Sequence, residues 1–101
     1  METAKRIAKP PVQLTPRARQ VLNFVINSVA LETHDDDAEI GSIAKGIGTT
    51  PRGLQPVLQK LVDLGFVEIR RDFVYPRPAA LRWQNPAMTE REAKAILRKL
   101  G

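Results

Sequence analysis

Apolar residues recur at helical spacing soon after the start of the chain: Ala18, Val21, Leu22, Val25 and Val29 form one stripe, and Arg19, Asn23 and Asn27 the polar back. Thr15-Pro16 marks the helix start, because a threonine oxygen can accept from the free N–H groups and proline suits the first helical position. Phe24, Ile26 and Leu31 widen the apolar arc, so this helix either sinks broadly into its own core or is covered by a second chain. Ile40, Ile43, Ala44 and Ile47 predict a short helix over 40–48, closed by Gly48. Thr49-Thr50-Pro51 repeats the threonine–proline start and opens a helix over 51–64. Leu54, Leu58, Leu61 and Leu64, with Val57 and Val62, face inward; Arg52, Gln55, Gln59 and Lys60 face outward.

After Gly65 the period changes to two. Val67 and Ile69 alternate with Glu68 and Arg70, Arg71-Asp72 forms a turn, and Phe73-Val74-Tyr75 returns. This predicts a hairpin over 66–77, with Pro76 and Pro78 ending it or marking an edge. Thr89 and Glu92 stand at capping-box spacing, and Ala93, Ile96, Leu97 and Leu100 give the last helix an apolar face. A helix of roughly eleven residues is marginal alone, so that face packs on its own domain or on a second chain. Trp83 is expected to anchor its segment to the core.

The segments between these elements carry most of the punctuation. Residues 1–13 read as a basic arm, with Lys5, Arg6 and Lys9 ahead of an extended Pro10-Pro11, either a solvated tail or a reach toward phosphates or a minor groove. The arm has no apolar stretch of the kind a secretory signal needs. Residues 32–39, ETHDDDAE, read as a solvated polar loop. A metal at His34 and Asp35–Asp37 is disfavoured because adjacent carboxylates repel and no second ligand cluster stands at a recognised spacing. Gly41 and Gly46 weaken the short helix and suggest close approach to another backbone. Gly53 and Pro56 fall inside the helix over 51–64. Pro56 removes a backbone hydrogen bond, so this helix either kinks or becomes regular only after it.

At 101 residues the chain fits one domain, and its 43% hydrophobic content is enough for a core. The net charge of +5 is unevenly spread: residues 1–31 carry +4, residues 32–39 carry −5 and residues 40–101 carry +6. A basic chain interrupted by one acidic segment favours an anionic partner, with the acidic segment turned away from it. The absence of cysteine excludes disulfides, cysteine zinc sites and thiol catalysis. No apolar run approaches a membrane span.

Helix, short helix, tight turn, helix and hairpin is the plan of a winged helix-turn-helix, a mainly α fold with a small β-hairpin. GSIAKGIGTTPRGLQPVLQKLVDLGFVEI resembles the helix-turn-helix and first wing strand of bacterial and phage transcription regulators. LTPRARQVLNFV is similar to the opening helix of the LexA repressor DNA-binding domain, and the MarR group shares the plan. The resemblance covers roughly residues 14–75. It implies three parts: the arm 1–13, a winged helix-turn-helix over 14–84, and a C-terminal amphipathic helix over 85–101 for packing or dimerisation. It also implies that helix 51–64 enters the major groove of double-stranded DNA, with Thr50, Arg52, Gln55, Gln59 and Lys60 outward. Arginine can pair with guanine and glutamine with adenine, while Thr49 and Thr50 suit phosphate. Arg70 and Arg71 would serve the wing, and Lys5, Arg6 and Lys9 the arm.

The expected function is a transcription or replication regulator in the cytoplasm, nucleoid-associated and homodimeric. No cofactor, metal or enzymatic activity is expected, since the single histidine, His34, has no serine or acid placed for a triad. The alternative is a winged helix used for protein–protein contact. A positive stripe through Arg52, Lys60, Arg70 and Arg71 would favour DNA, and a broad apolar patch there would favour a protein.

Overall fold

A computed structural model describes residues 13–100. The helices are α1 (Pro16–Ala30), α2 (His34–Asp37), α3 (Ile40–Ile47), α4 (Pro51–Asp63), α5 (Pro78–Gln84) and α6 (Glu90–Leu97), followed by a 3-10 turn at Arg98–Leu100. Strands β1 (Val67–Arg70) and β2 (Phe73–Pro76) form an antiparallel pair between α4 and α5, with Ile69 opposite Val74 and Arg70 opposite Phe73. The chain is therefore mainly helical with one two-stranded hairpin, as its periodicity predicts.

The helix starts follow from local chemistry. Thr15 Oγ1 accepts from the Ala18 N–H at 3.1 Å, and Thr50 Oγ1 from the Gly53 N–H at 3.0 Å. Pro16 and Pro51 follow these caps, where their missing N–H has no helical acceptor to lose. Thr89 and Glu92 complete the capping box at α6: Glu92 N–H donates to Thr89 Oγ1 at 3.1 Å, and Thr89 N–H to Glu92 Oε1 at 2.8 Å. Such caps contribute about 1 kcal/mol each. Gly48 closes α3 at φ 79°, a left-handed conformation that glycine adopts without steric cost.

One core runs through every long element. Val21, Leu22 and Val25 of α1 meet Ile43 of α3, Leu54 and Leu61 of α4, Val67 and Val74 of the hairpin, and Ala93 of α6. Arg17 ties the other end of α1 to α3, donating from Nη1 to the Ile47 carbonyl at 3.1 Å. Trp83 is half-buried against this core, as expected. Of the two coverings open to α6, the structure has the intramolecular one: Ala93 is fully buried, and Ile96 and Leu97 pack against the core.

Several expectations are corrected. Residues 32–39 are not a solvated loop. His34 opens α2 and is 4% exposed, with its ring Nε2 3.0 Å from the Val74 carbonyl and its ring centroid 4.9 Å from that of Tyr75. Ala38 is buried, and the chain then runs beside β2: Val74 N–H donates to the Ala38 carbonyl at 2.9 Å and Ile40 N–H to the Asp72 carbonyl at 2.8 Å. The acidic run is thus the one-turn helix α2 and a short extended segment laid against the hairpin, with Asp36 and Glu39 exposed. Residues 78–84 form a helix where the sequence suggested only the end of the hairpin, and Pro78 is its first residue. Ile69 does not sink with Val67: it is 38% exposed, because the hairpin tip projects past the core. The close approach at Gly46 is to a side chain rather than to a backbone, since a Cβ there would lie 2.5 Å from Cε2 of the Phe24 ring.

Candidate nucleic-acid interface

A helix places residues three and four apart on one side. In α4 this brings Arg52, Gln55, Pro56, Gln59, Lys60 and Asp63 into a single stripe, and each of them is exposed. The apolar set Leu54, Leu58 and Leu61 occupies the opposite side and is buried. The same leucine spacing that builds the core therefore orients the polar stripe outward.

The stripe starts at a tight turn. Thr49 N–H donates to the Ala44 carbonyl at 2.8 Å, which fixes the turn onto the end of α3. Thr49 is half-buried, and Gly53 sits so close that a Cβ there would lie 2.7 Å from Thr49 Oγ1. Gly53 is thus the residue that lets the two threonines fold over the helix start. Thr50 is exposed; its oxygen already accepts the Gly53 N–H, which leaves its hydroxyl proton for an outside acceptor. No acid stands in the first turn of α4, so nothing there opposes an anion at the positive end of the helix dipole.

Charges along the stripe differ in freedom. Among the described residues, neither Arg52 nor Lys60 makes an ion pair. Gln55 is exposed, while Gln59 donates from Nε2 to Asp63 Oδ1 at 2.9 Å, so any outside contact by Gln59 competes with that bond. Pro56 stands in the middle of a continuous helix with no break before or after it. Its ring takes the place of a donor to the Arg52 carbonyl.

On the hairpin, Arg70 and Arg71 have different surroundings. The Arg70 guanidinium lies 3.9 Å from the centroid of the Tyr75 ring, and its Nε is 3.6 Å from Glu68 Oε2. The stacking and the ion pair hold Arg70 flat along one face of the hairpin. Arg71 is exposed at the tip, where it and Asp72 take positive φ values of 51° and 68°. Those values belong to the tight turn whose twist matches antiparallel strands. Lys5, Arg6 and Lys9 lie outside the described residues.

Three further features were not read from the sequence. Tyr75 is the platform under Arg70, and Asp63 is the acceptor that holds Gln59. Gln59 also borders a groove of about 850 Å³ beside β1, shared with Arg77 and Arg82 around α5. The i, i+4 spacing of Gln59 and Asp63 is visible in the sequence; the groove depends on α5, whose non-capping Arg77 gives no start signal.

Among the described residues, no group of three histidine, aspartate or glutamate side chains is placed to hold a metal, and no helix is long and apolar enough to cross a membrane. Comparison with protein-family models, with curated proteins and with solved structures gives no match to this chain.

Proposed function

We propose that this chain is a winged helix-turn-helix domain that binds double-stranded DNA and regulates transcription or replication, with α4 in the major groove and the β1–β2 hairpin as the wing. The observation that carries this reading is the outer stripe of α4: two cations, Arg52 and Lys60, in no ion pair among the described residues, and two glutamines on one exposed side of a helix that begins at a tight, acid-free turn. Two details support it. The order of elements matches the plan, and residues 38–40 pair with β2 beside the hairpin, which extends the sheet behind the wing. The large exposed apolar side chains among the described residues are Leu31, Leu64 and Ile69. Leu64, expected to face inward, instead borders Lys60 and Asp63 at the end of the stripe, but one leucine is not the broad apolar patch that a protein-docking role for that face would need.

Arg52 and Gln55 are suited to base edges, and Lys60, Thr50 and Arg71 to phosphates. Fluorescence anisotropy of a random duplex, titrated across salt, tests the reading. Binding should fall steeply with salt, and Arg52→Ala/Lys60→Ala should weaken it and flatten the salt slope by about one unit per lost phosphate contact. No binding at about 50 mM salt, where non-specific affinity is strong, would overturn the proposal.

A further inference from the structure

We propose that the cleft between the end of α1 and the α5–α6 pair binds a free amino acid with a large apolar side chain. Its ammonium would lie against His34, Gln84 and Glu32, its carboxylate against Lys99, and its side chain along the apolar wall. The cleft holds about 850 Å³, within the range of small-molecule sites. Ile26, Val29, Leu81 and Ile96 belong to the apolar part of its lining; Glu32, His34, Gln84 and Lys99 form the charged and hydrogen-bonding part. A lining of both kinds suits a molecule with a polar head and an apolar body rather than a hydrocarbon. None of it comes from α4, so the site does not rest on the DNA-binding reading.

Bonds already made within the fold set what each polar group has left to offer. His34 is 4% exposed, and its Nε2 lies 3.0 Å from the Val74 carbonyl oxygen. A carbonyl only accepts, so Nε2 carries the proton and Nδ1 of the neutral ring is an acceptor. Nδ1 has no partner among the described residues, yet none of their fully buried side-chain nitrogens or oxygens is unpartnered, so Nδ1 reaches accessible surface, and the cleft is where His34 meets it. Gln84 donates from Nε2 to Asn23 Oδ1 at 2.9 Å, which leaves its Oε1 to accept. Glu32 is the third acceptor and makes no ion pair among the described residues. It stands at a left-handed φ of 60°, in a turn pinned by the Thr33 N–H donating to the Ser28 carbonyl at 2.8 Å. Glycine would adopt that φ more cheaply, so the turn carries a carboxylate beside the cleft at a cost in backbone strain. An ammonium has three N–H donors for these three acceptors. Lys99 is the cation of the lining, in no ion pair among the described residues, and it suits a carboxylate. A fatty acid would leave the acceptors unmatched and a simple amine would leave Lys99 so; a zwitterion matches both.

Titration of the ¹⁵N-labelled full chain with L-phenylalanine to about 10 mM, without DNA, tests this by NMR, and a Kd below about 1 mM is expected. Amide shifts should gather at Glu32, Gln84 and Lys99, and the His34 Nδ1 resonance should move while Nε2 stays. Phenethylamine, which lacks the carboxylate, and hydrocinnamate, which lacks the ammonium, should each bind about tenfold more weakly, the worth of a charged hydrogen bond. Glu32→Gly should weaken L-phenylalanine by about tenfold without lowering the melting temperature, because glycine takes that φ without strain. Lys99→Gln should weaken L-phenylalanine and leave phenethylamine unaffected. Absence of shifts at the highest concentration, shifts away from the cleft, or an analogue that binds as tightly as the amino acid would overturn the proposal. Because DNA is absent from the assay, failure of the DNA reading would leave this result standing.

Discussion

Replacing Pro56 by alanine should stabilise the protein markedly. Pro56 lies inside α4 on its exposed side, so the ring buries no apolar contact that alanine would lose. It withholds a donor from the Arg52 carbonyl and crowds that carbonyl with its ring, a defect worth about 3 kcal/mol relative to alanine in a helix interior. Against that gain, proline restricts the unfolded chain, and its loss returns about 0.4–1 kcal/mol of unfolded-state freedom. The net is about 2 kcal/mol in favour of Pro56→Ala. For a domain near this size, where 1 kcal/mol moves Tm by about 4–8 °C, the melting point should rise by about 8–16 °C. Far-UV circular dichroism during heating measures the shift, and urea titration should show a higher midpoint at unchanged slope. An unchanged or lower Tm would refute the description of α4 as one continuous helix through Pro56.

Other outcomes follow from the same geometry. Substituting Arg71→Asn and Asp72→Gly, residue types that adopt positive φ more readily, should raise stability by about 1 kcal/mol in urea titration and should not alter the hairpin register. His34→Ala removes a buried ring next to Tyr75 and the hydrogen-bond partner of the Val74 carbonyl; chemical denaturation should show a loss of about 2–3 kcal/mol, whereas a solvated residue would cost almost nothing. In α6, the hydrogen bond and charge of Lys94 hold the Glu90 carboxyl below its ordinary value of 4.5, and the Thr89 N–H does the same for Glu92. The folded chain thus binds these protons less readily than the unfolded one, so the stabilisation is present above 4.5 and fades as pH falls through the lowered values. Carboxyl-carbon NMR should place both midpoints below 4.5, and a midpoint at or above it for Glu92 would contradict the capping box.

The long helices and the hairpin were legible because their signals are local. Thr15-Pro16, Thr50-Pro51 and Thr89 with Glu92 state where helices begin, and the shift of period at Val67 states where the strand begins. The outward stripe of α4 follows from the leucine spacing alone. What was not legible depends on contacts distant in sequence. His34 sits among carboxylates in sequence, yet its bond is to Val74, forty residues away. Helix α5 begins at Pro78, and the Arg77 before it makes no side-chain cap, so Pro78 reads as the end of a strand rather than the start of a helix. Ile69 alternates correctly with Glu68, but alternation says which face a residue joins and not whether the core extends that far. The choice between self-packing and a partner for α6 was open in the sequence because an apolar face does not name what covers it; α5 supplies the cover.

The DNA-binding proposal is tested most directly by titrating the ¹⁵N-labelled chain with a short random-sequence duplex and following backbone amide shifts by two-dimensional NMR. At about 50 mM salt, shifts should concentrate on Thr49, Thr50, Arg52, Gln55, Gln59 and Lys60, with a second group at Arg70 and Arg71, and should reverse as salt is raised. Unmoved amides along α4 at saturating duplex, or shifts confined to the surface around Leu31 and Lys99, would contradict α4 as the DNA-reading element.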